Sequence, residues 1–368
     1  MRRKTACASA GGLPFFSKIN IFLSMKSSSI PKLFWSLTFL ILIWWIIGFT
    51  THQLSFFRYN YSLLTQTSSS KTTPPPQIYL SGKFLFSPGS RDRYHSFVFD
   101  SHKIRGEFYS ISYQKAIEQF INNYINWADI KLILEYQKYQ QAPGKELYHL
   151  KPLFDAGLAK FDTGLDINYL HSKFLVLDKP KFVIQTANLT YSAFFKNREY
   201  FLLGEDKQIR EGLNYIFNQD RLGRPLEEDK IPPQLLVCPL DCRTKLNNLI
   251  NLAQKEIIIV WQYIDDPQLI NLLSQKSKHL DQFKILLPAK NKDKLPEYYS
   301  LQPYTKYLDS PYIHAKAMLI DQRYLLLGSI NWSTNSLDYN REVGIVVTDK
   351  IIIQSFLKIF NRDRHQAH

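Results

Sequence analysis

Two stretches of the chain carry the same polar residues at the same spacing, in the pattern His-x-Lys-x4-Asp. The six residues are His171, Lys173, Asp178, His314, Lys316 and Asp321. Both stretches have the alternating character of strands. Because alternate residues of a strand share a face, the histidine and lysine of each copy are predicted to point together into one site. An imidazole beside an ammonium group suits an anionic, oxygen-rich ligand, most naturally a phosphate.

Further polar residues follow both stretches in register. They are Thr186, Asn188 and Glu199 after the first copy, and Ser329, Asn331 and Glu342 after the second. The interval from His171 to His314 also relates the lysines, the aspartates, the asparagines and the glutamates of the two copies. Such agreement is not plausibly chance, so the two stretches belong to an internal repeat that carries chemistry.

The paired pattern resembles the two HKD motifs of the phospholipase D superfamily, which includes phospholipases D, cardiolipin and phosphatidylserine synthases, and phosphodiester nucleases. The resemblance implies an α/β fold of two similar sandwich halves, a phospholipase D-like fold packed around a pseudo-twofold interface. It also implies a phosphoric diester hydrolase that forms a phosphohistidine and uses neither a metal nor another cofactor. In the family pattern the first histidine attacks and the second protonates, which implies that His171 is the nucleophile and His314 the acid. The residues themselves do not order the two.

The chemistry of a phosphodiester explains why each residue type is present twice. Its negative charge repels nucleophiles, so positive charge from Lys173 and Lys316 and donors from Asn188 and Asn331 must offset that charge. One neutral histidine can attack phosphorus, while the other, protonated, gives its proton to the leaving alcohol. A single copy of the motif would lack the acid.

Acidic residues complete the predicted site. A carboxylate bonded to one ring nitrogen fixes the tautomer of a histidine, and we assign this role to Glu199 and Glu342. The alternative is that each glutamate simply pairs with the arginine that precedes it. Asp178 and Asp321 belong to the motif but are expected to support its strands rather than to react.

One position departs from the family pattern. The second copy has Gly328 before Ser329, as expected, whereas the first has Gln185 before Thr186. Threonine can replace the serine hydroxyl, but glutamine in place of glycine interferes with a close approach of the backbone. A degenerate, non-catalytic binding protein is the alternative that this departure raises.

Apolar strands alternate with helices around both motifs, which favours a sheet covered on its two faces. Each half is predicted as strand–helix–strand–helix–strand–strand–helix, with an amphipathic closing helix over 351–361. The segments 138–164 and 289–311 are predicted as loops. The full division comprises a basic leader over 1–32, a transmembrane or signal-anchor helix over 33–50, a Ser/Thr/Pro linker over 51–77, a first half over 78–218, a junction over 219–230 and a second half over 231–364.

The run 33–49 contains no charge and no proline, and it is long enough to cross the hydrocarbon of a bilayer. Basic residues and no acidic ones precede it, which predicts a short cytoplasmic N-terminus and a catalytic body outside the cytoplasm. Two alternatives stay open. If the chain starts at Met25, the run resembles a signal sequence, and cleavage would release a secreted body. The run could also be a buried helix of a soluble protein.

The composition is basic, since lysine and arginine total 46 against 32 acidic residues, a formal charge of +14. This excess favours polyanionic partners, either nucleic acid or a membrane with acidic lipids, although it can also serve solubility alone. Cys238 and Cys242 are close enough in sequence for a local disulfide outside the cytoplasm, or they are two packed thiols. No neighbouring histidine or cysteine completes a zinc site.

These features favour a membrane-anchored phospholipase D-like phosphodiesterase that hydrolyses phospholipid head groups. The expected partners are a phospholipid or other phosphodiester substrate and the membrane, with the protein active as a monomer. The alternatives are an endonuclease acting on nucleic acid and a phosphatidyltransferase similar to a cardiolipin synthase, in which an alcohol takes the place of water.

Overall fold

The computed structural model describes residues 80–368 except 142–144, 163 and 295–298. The predicted leader (1–32), apolar segment (33–50) and linker (51–77) lie outside the described residues. Among the helices of the described part, none is both long and apolar enough to cross a bilayer. The described residues belong to one compact unit, which contains both motifs.

The first half is built on a seven-stranded sheet. Its strands are β1 (Ser81–Phe86), β2 (Lys103–Phe108), β3 (Asp129–Leu134), β4 (Ala159–Phe161), β5 (Lys173–Val176), β6 (Lys181–Gln185) and, after the separate short strand β7 (Asn197–Arg198), β8 (Tyr200–Glu205). Their spatial order is β1-β8-β6-β5-β2-β3-β4. The helices of this half are α1 (Arg91–Phe99), α2 (Gln114–Ile125), α3 (Tyr136–Gln141), α4 (Lys145–Asp155), α5 (Tyr191–Phe195) and α6 (Lys207–Leu222).

The second half repeats this plan on another seven-stranded sheet. Its strands are β9 (Leu235–Cys238), β10 (Glu256–Trp261), β11 (Gln282–Pro288), β12 (Thr305–Leu308) and, after the separate β13 (Tyr312–Ile313), β14 (Lys316–Ile320), β15 (Tyr324–Gly328) and β16 (Glu342–Val347). Its helices are α7 (Cys242–Leu252), α8 (Pro267–Ser277), α9 (Thr334–Asp338) and α10 (Lys350–Gln366), with 3₁₀ turns at Glu228–Lys230, Ala289–Lys294 and Tyr299–Tyr304. The order β12-β11-β10-β14-β15-β16-β9 matches the first sheet strand for strand, which confirms the prediction of two similar α/β halves.

In both sheets the motif strand starts where the neighbouring parallel strands end. Lys173 of β5 pairs with Phe108 at the end of β2, and Lys316 of β14 pairs with Trp261 at the end of β10. β2 runs parallel to β3, and β10 runs parallel to β11. We call this end of each sheet the motif edge, because the motif side chains are presented there.

The apolar core has three parts. The central cluster joins the inner faces of both sheets with the long helices α6 and α10, and the second motif contributes Ala315, Ala317 and Leu319 to it. Two outer clusters lie under the helices that cover the other faces, mainly α1, α2, α4 and α5 on the first sheet and α7, α8 and α9 on the second. The alternation predicted for the second motif is therefore correct, because the residues on either side of Lys316 pack into the core.

Two segments predicted as loops contain regular structure. The segment 138–164 contains the end of α3, all of α4 and β4, and the segment 289–311 contains β12. The loop prediction was wrong because Pro152 disguises the helix α4, and because β4 and β12 have only three and four residues; tertiary packing rather than periodicity stabilises these elements. In α4, for example, Leu150 and Leu153 are fully buried although Pro152 lies inside the helix.

The last helix of the chain agrees with the prediction from the sequence. α10 confirms the closing helix and extends beyond 351–361, and Asp349 caps its start by accepting hydrogen bonds from the N–H groups of Ile351 and Ile352.

Cys238 and Cys242 form a disulfide at the start of α7. Of the two alternatives for these cysteines, the structure therefore has the bridge.

Candidate active site

The motif histidines lie where the two halves meet. β13 pairs with β7, and at this contact the backbone N–H of His314 donates to the carbonyl of Arg198 at 3.1 Å. In the same way, the N–H of His171 donates to the carbonyl of Arg341 at 2.9 Å. Each histidine is thus held by the backbone of the other half, which brings the two motifs to one site.

Each motif histidine is also bonded to a glutamate of the other half. The Nδ1 atom of His171 lies 2.8 Å from Oε1 of Glu342, and the Nδ1 atom of His314 lies 2.7 Å from Oε1 of Glu199. Both carboxylates are buried. The glutamates therefore contact the imidazoles and not the arginines that precede them. Because Nδ1 is engaged in both rings, Nε2 is the nitrogen left for a substrate.

The arginines of the repeat form two buried ion pairs that also cross between the halves. Arg198 binds Asp363 of α10 at 2.6 and 3.1 Å, and Arg341 binds Asp220 of α6 at 2.8 and 3.1 Å. Neither aspartate was predicted from the sequence. A signal for them was present, because the interval between the motif histidines also relates Asp220 to Asp363.

The motif lysines are fully buried beside the histidines. The Nζ atom of Lys316 donates to the carbonyl of His314 at 2.6 Å, and Lys173 donates to the carbonyl of His171. Each ammonium group is thus folded back toward its own histidine. The arrangement places an ammonium group beside each imidazole, which suits the non-bridging oxygens of a phosphate.

Two residues that were not predicted also contact the site, one at the same point of each half. Tyr109, directly after β2, lies against His171 with ring centroids 5.0 Å apart, and its ring centroid lies 5.8 Å from the Nζ atom of Lys173. Gln262, directly after β10, accepts a hydrogen bond from Lys316 at 3.0 Å. The site is therefore not symmetric, although its motifs are. Both residues directly follow the strand that neighbours the motif strand. This shared position in the sequence could have identified them.

Burial determines the protonation of the site. It lowers the pKa of His171 to about 4, that of Lys173 to about 7 and that of Lys316 to about 8. Burial also lowers the pKa of His314. For both glutamates burial alone would raise the pKa, but attraction to the paired histidine holds it below its ordinary value. The site thus combines ionised carboxylates with lysines that lose protons near neutral pH.

The predicted hydroxyl and amide residues lie around this centre. Thr186 donates to Oε2 of Glu199, and the hydroxyl of Ser329 accepts from the N–H of Val343 at 3.0 Å. The side-chain oxygens of Asn188 and Asn331 are buried and have no hydrogen-bond partner within the described part of the chain. Buried polar atoms usually have partners, so each of these oxygens is an acceptor left for a hydrogen-bond donor.

Gln185, which departs from the family pattern, is accommodated by hydrogen bonds. It is fully buried, accepts from the hydroxyl of Tyr94 at 2.7 Å and donates to the carbonyl of Ala187 at 2.7 Å. At the equivalent position of the second half, a Cβ added to Gly328 would lie 2.4 Å from the carbonyl oxygen of Val343. The close approach that requires glycine thus occurs in the second half, and side-chain hydrogen bonds take its place in the first.

The motif aspartates lie at the opposite end of their strands, about 17 Å from the lysines at the usual rise of a strand. Asp178 accepts from the N–H groups of His102 and Lys103 at 2.9 and 2.8 Å. Asp321 accepts from the backbone of 254–256 at 2.8 to 2.9 Å. The structure therefore does not bring the aspartates to the site. They join each motif strand to the start of its neighbour.

No candidate metal centre is found among the residues that the structure describes, which contain no group of three or more histidine, cysteine or acidic side chains arranged to hold an ion. The positive charge beside the histidines comes from Lys173 and Lys316.

Comparison with known families identifies the repeat. A family model described as "Cardiolipin synthase, PLD-like domain" matches the chain twice, over 101–221 and 246–364. The chain belongs to the phospholipase D superfamily. Each match contains one complete motif together with its downstream asparagine and glutamate.

Curated relatives of this phospholipase D superfamily chain match it in part. Phospholipase D zeta 2 of Arabidopsis thaliana is 26% identical over 185 residues, which cover 45% of this chain and 17% of the relative. Human mitochondrial cardiolipin hydrolase is 37% identical over 54 residues, covering 15% of this chain and 21% of the relative. The phospholipase D of Rickettsia typhi is 30% identical over 112 residues, covering 30% and 50%. The matches thus span half or less of these relatives.

Solved structures show the same fold. Phosphatidylserine synthase from Haemophilus influenzae Rd KW20 superposes with a TM-score of 0.62 at 13% identity, covering 78% of this chain and 87% of that one. Polyphosphate kinase from Porphyromonas gingivalis superposes with a TM-score of 0.60 at 13% identity, covering 78% and 50%. At this level of identity the likeness concerns the fold alone.

Proposed function

We propose that this chain is a membrane-anchored phosphodiesterase that hydrolyses the head-group phosphodiester of phospholipids through a phosphohistidine. The observation that carries the proposal is the crossed pairing of His171 with Glu342 and of His314 with Glu199 beside two buried lysines. Two imidazoles with their Nδ1 atoms engaged and their Nε2 atoms left for a substrate can serve as nucleophile and acid on one phosphorus.

In the first step, Nε2 of His171 attacks phosphorus and the bond from phosphorus to the head-group oxygen breaks. His314 gives its Nε2 proton to that oxygen, so the head group leaves as an alcohol. The phosphatidyl group stays on His171. Lys173 and Lys316 offset the charge on the non-bridging oxygens throughout.

In the second step, a water molecule attacks the phosphohistidine. His314, now neutral, takes a proton from the water, the bond between phosphorus and His171 breaks, and phosphatidic acid is released. Each histidine ends the cycle in its starting state. Glu342 stabilises the positive charge that His171 gains on attack, and Glu199 keeps His314 oriented for both proton transfers.

The lipid substrate is supported by the family and by the names of the relatives, which are phospholipases D and cardiolipin hydrolases. The same intermediate could pass to an alcohol instead of water, which would make the enzyme a phosphatidyltransferase. A nuclease is the second candidate, and the formal charge of +14 favours it because a basic surface attracts nucleic acid.

The proposed location is a single-pass membrane protein anchored by 33–50, with its catalytic body outside the cytoplasm; cleavage of this segment would give a secreted body. The disulfide between Cys238 and Cys242 supports this side of the membrane, because disulfides persist in oxidising compartments. Both motifs lie in one chain, so we propose that the monomer is the active form.

The test is product analysis with the full chain in detergent–lipid micelles that contain phosphatidylcholine, phosphatidylethanolamine, phosphatidylglycerol and cardiolipin. We expect a free head group and phosphatidic acid to appear in equal amounts, and no product with His171→Asn. Added glycerol that captures the phosphatidyl group would identify the transferase. Cleavage of single-stranded DNA without lipid turnover would overturn the lipid assignment.

A further inference from the structure

An exposed aromatic pair lies at the motif edge of the first sheet, on helix α5. Tyr191 is 55% exposed and Phe195 is 36% exposed. Their rings are stacked, with centroids 4.6 Å apart and an angle of 27° between the planes. The helix follows soon after Asn188, and its capping residue Thr190 accepts from the N–H of Ala193. The pair is therefore fixed on the surface next to the candidate site.

Cations flank the aromatic pair. The guanidinium carbon of Arg91 lies 5.7 Å from the ring centroid of Phe195, and the Nζ atom of Lys196 lies 5.9 Å from that of Tyr191. Asp92 is bonded to Arg91, so it offsets part of this charge. Arg91, Tyr191, Phe195 and Lys196 together form what we call the α5 surface.

The repeat supplies an internal comparison for this surface. The interval between the motif histidines relates Tyr191 to Thr334 and Phe195 to Asp338, both on α9. In the second half Asp338 accepts from Arg243 at 2.6 Å, and Thr334 donates to Asp266 at 2.8 Å.

Arg243 also donates to Asp266 at 2.8 Å, so the α9 side chains and their neighbours form a closed ionic network. The same small helix can therefore be stabilised by internal polar contacts. An exposed aromatic pair in its place is not required by the fold.

We propose that the α5 surface contacts an anionic lipid bilayer and presents the site to it. The proposal deepens the proposed function and rests on it. Aromatic side chains favour the region of the lipid head groups, and basic side chains next to them are attracted to anionic lipids. Because Arg91, α5 and the candidate site all lie at the motif edge, contact at this surface would turn the site toward its substrate.

The geometry favours a bilayer over a nucleic acid strand. Sequence-tolerant binding of single strands uses aromatic rings on which bases stack. Here the ring of Phe195 already has Tyr191 as a stacked neighbour, Tyr113 at 5.9 Å and Arg91 at 5.7 Å. Tyr191 has Phe195 and Lys196 as neighbours. Each ring thus already has an aromatic neighbour and a nearby cation. Stacking of a base requires a free ring face, whereas insertion of a ring among lipid head groups does not.

The test compares the double variant Tyr191→Ser/Phe195→Ser with the wild-type full chain in neutral detergent micelles. We expect the phosphatidylglycerol mole fraction needed for half-maximal hydrolysis to rise about fivefold or more. We expect kcat/KM on the soluble ester bis(p-nitrophenyl) phosphate to stay unchanged. Trp127→Ser is the matched control. Trp127 is 94% exposed and immediately precedes Ala128 and β3, at the opposite edge of the same sheet, so this variant should leave both measurements unchanged.

A second measurement separates this proposal from the proposed function. Hydrogen exchange of 187–197 should slow when phosphatidylglycerol is added to the micelles, and this readout does not require turnover. Slower hydrogen exchange of 187–197 without any lipid hydrolysis would contradict only the proposed function. Unchanged exchange and unchanged lipid kinetics in the double variant would overturn the α5 surface. So would an equal loss on lipid and on the soluble ester, or a loss confined to single-stranded oligonucleotide binding.

Discussion

The Nδ1 atom of His171 lies 2.8 Å from Glu342, a residue of the other half. The reciprocal contact joins His314 to Glu199 at 2.7 Å. Neither half therefore contains a complete histidine–carboxylate pair, because the carboxylate bonded to each imidazole comes from across the interface. The two halves have to pack against each other before either imidazole is bonded to its carboxylate.

The crossed pairing predicts which glutamate serves which step. Glu342→Gln should slow phosphoenzyme formation about 10- to 100-fold with every leaving group, because it removes the charge behind the proposed nucleophile His171. Glu199→Gln should slow that step only for poor leaving groups, because a good one needs no acid. Burst kinetics with p-nitrophenyl and alkyl esters measure both effects. The reverse dependence would mean that the roles of the two halves are exchanged.

The buried pair of Arg341 with Asp220 predicts a large loss of stability on truncation. Arg341→Met should lower the free energy of unfolding by about 3–5 kcal/mol, because it leaves a buried carboxylate without its partner. Adding Asp220→Asn should recover part of this loss. Urea unfolding of the full chain in detergent measures it. As the control, Lys151→Met breaks an exposed pair with Asp155 and should have no measurable effect. A loss no larger than that of the control would contradict the account.

The two positions that differ between the halves, Gln185 and Gly328, should not be interchangeable. Gln185→Gly leaves the buried hydroxyl of Tyr94 without its partner and should cost about 1–3 kcal/mol. Gly328→Ala places a methyl group against the carbonyl of Val343 and should cost about 1–3 kcal/mol through overpacking. Thermal or urea unfolding measures both variants. Unchanged stability of Gln185→Gly would show that the glutamine is not structural.

The pKa values predict an acidic optimum. The proposed mechanism uses Lys173 and Lys316 in their protonated forms, and burial lowers their pKa to about 7 and about 8, so kcat/KM should fall as the pH rises through this range. Burial also lowers the pKa of His314, so where the leaving group needs its proton the decline begins at a lower pH. His171 must be neutral, and its pKa of about 4 sets the acidic limb. A pH profile with a soluble alkyl ester, whose leaving group needs the acid, measures this, and a rate that still increases at pH 9 would contradict it.

Much of the site could be predicted from the sequence, because the repeat marks the same residue types twice in the same register. Period-two alternation predicted that His314 and Lys316 share a face, and the structure places the alanines between and after them in the core. What the sequence could not settle was the pairing. The interval from His171 to Glu199 equals that from His314 to Glu342. This equality holds whether each glutamate bonds the histidine of its own half or that of the other half, so it does not reveal the pairing.

The remaining omissions have physical causes of the same kind. Asp220 and Asp363 lie in amphipathic helices, where an acidic residue usually faces water, and only the packed structure shows them buried against arginines. Tyr109 and Gln262 differ in type, so they were not recognised as equivalent. Helix α4 and strand β4 were missed because packing rather than local pattern stabilises them.

The most direct test of the central claim is to trap the phosphoenzyme with bis(p-nitrophenyl) phosphate, whose leaving group needs no acid. The full chain with His314→Asn should accumulate a phosphorylated histidine at position 171, because attack proceeds and hydrolysis lacks its base. The variant His171→Asn should give no covalent species. Mass spectrometry after a neutral quench identifies the site. A phosphorylated His314 in the His171→Asn variant, or no covalent species in either variant, would contradict the account.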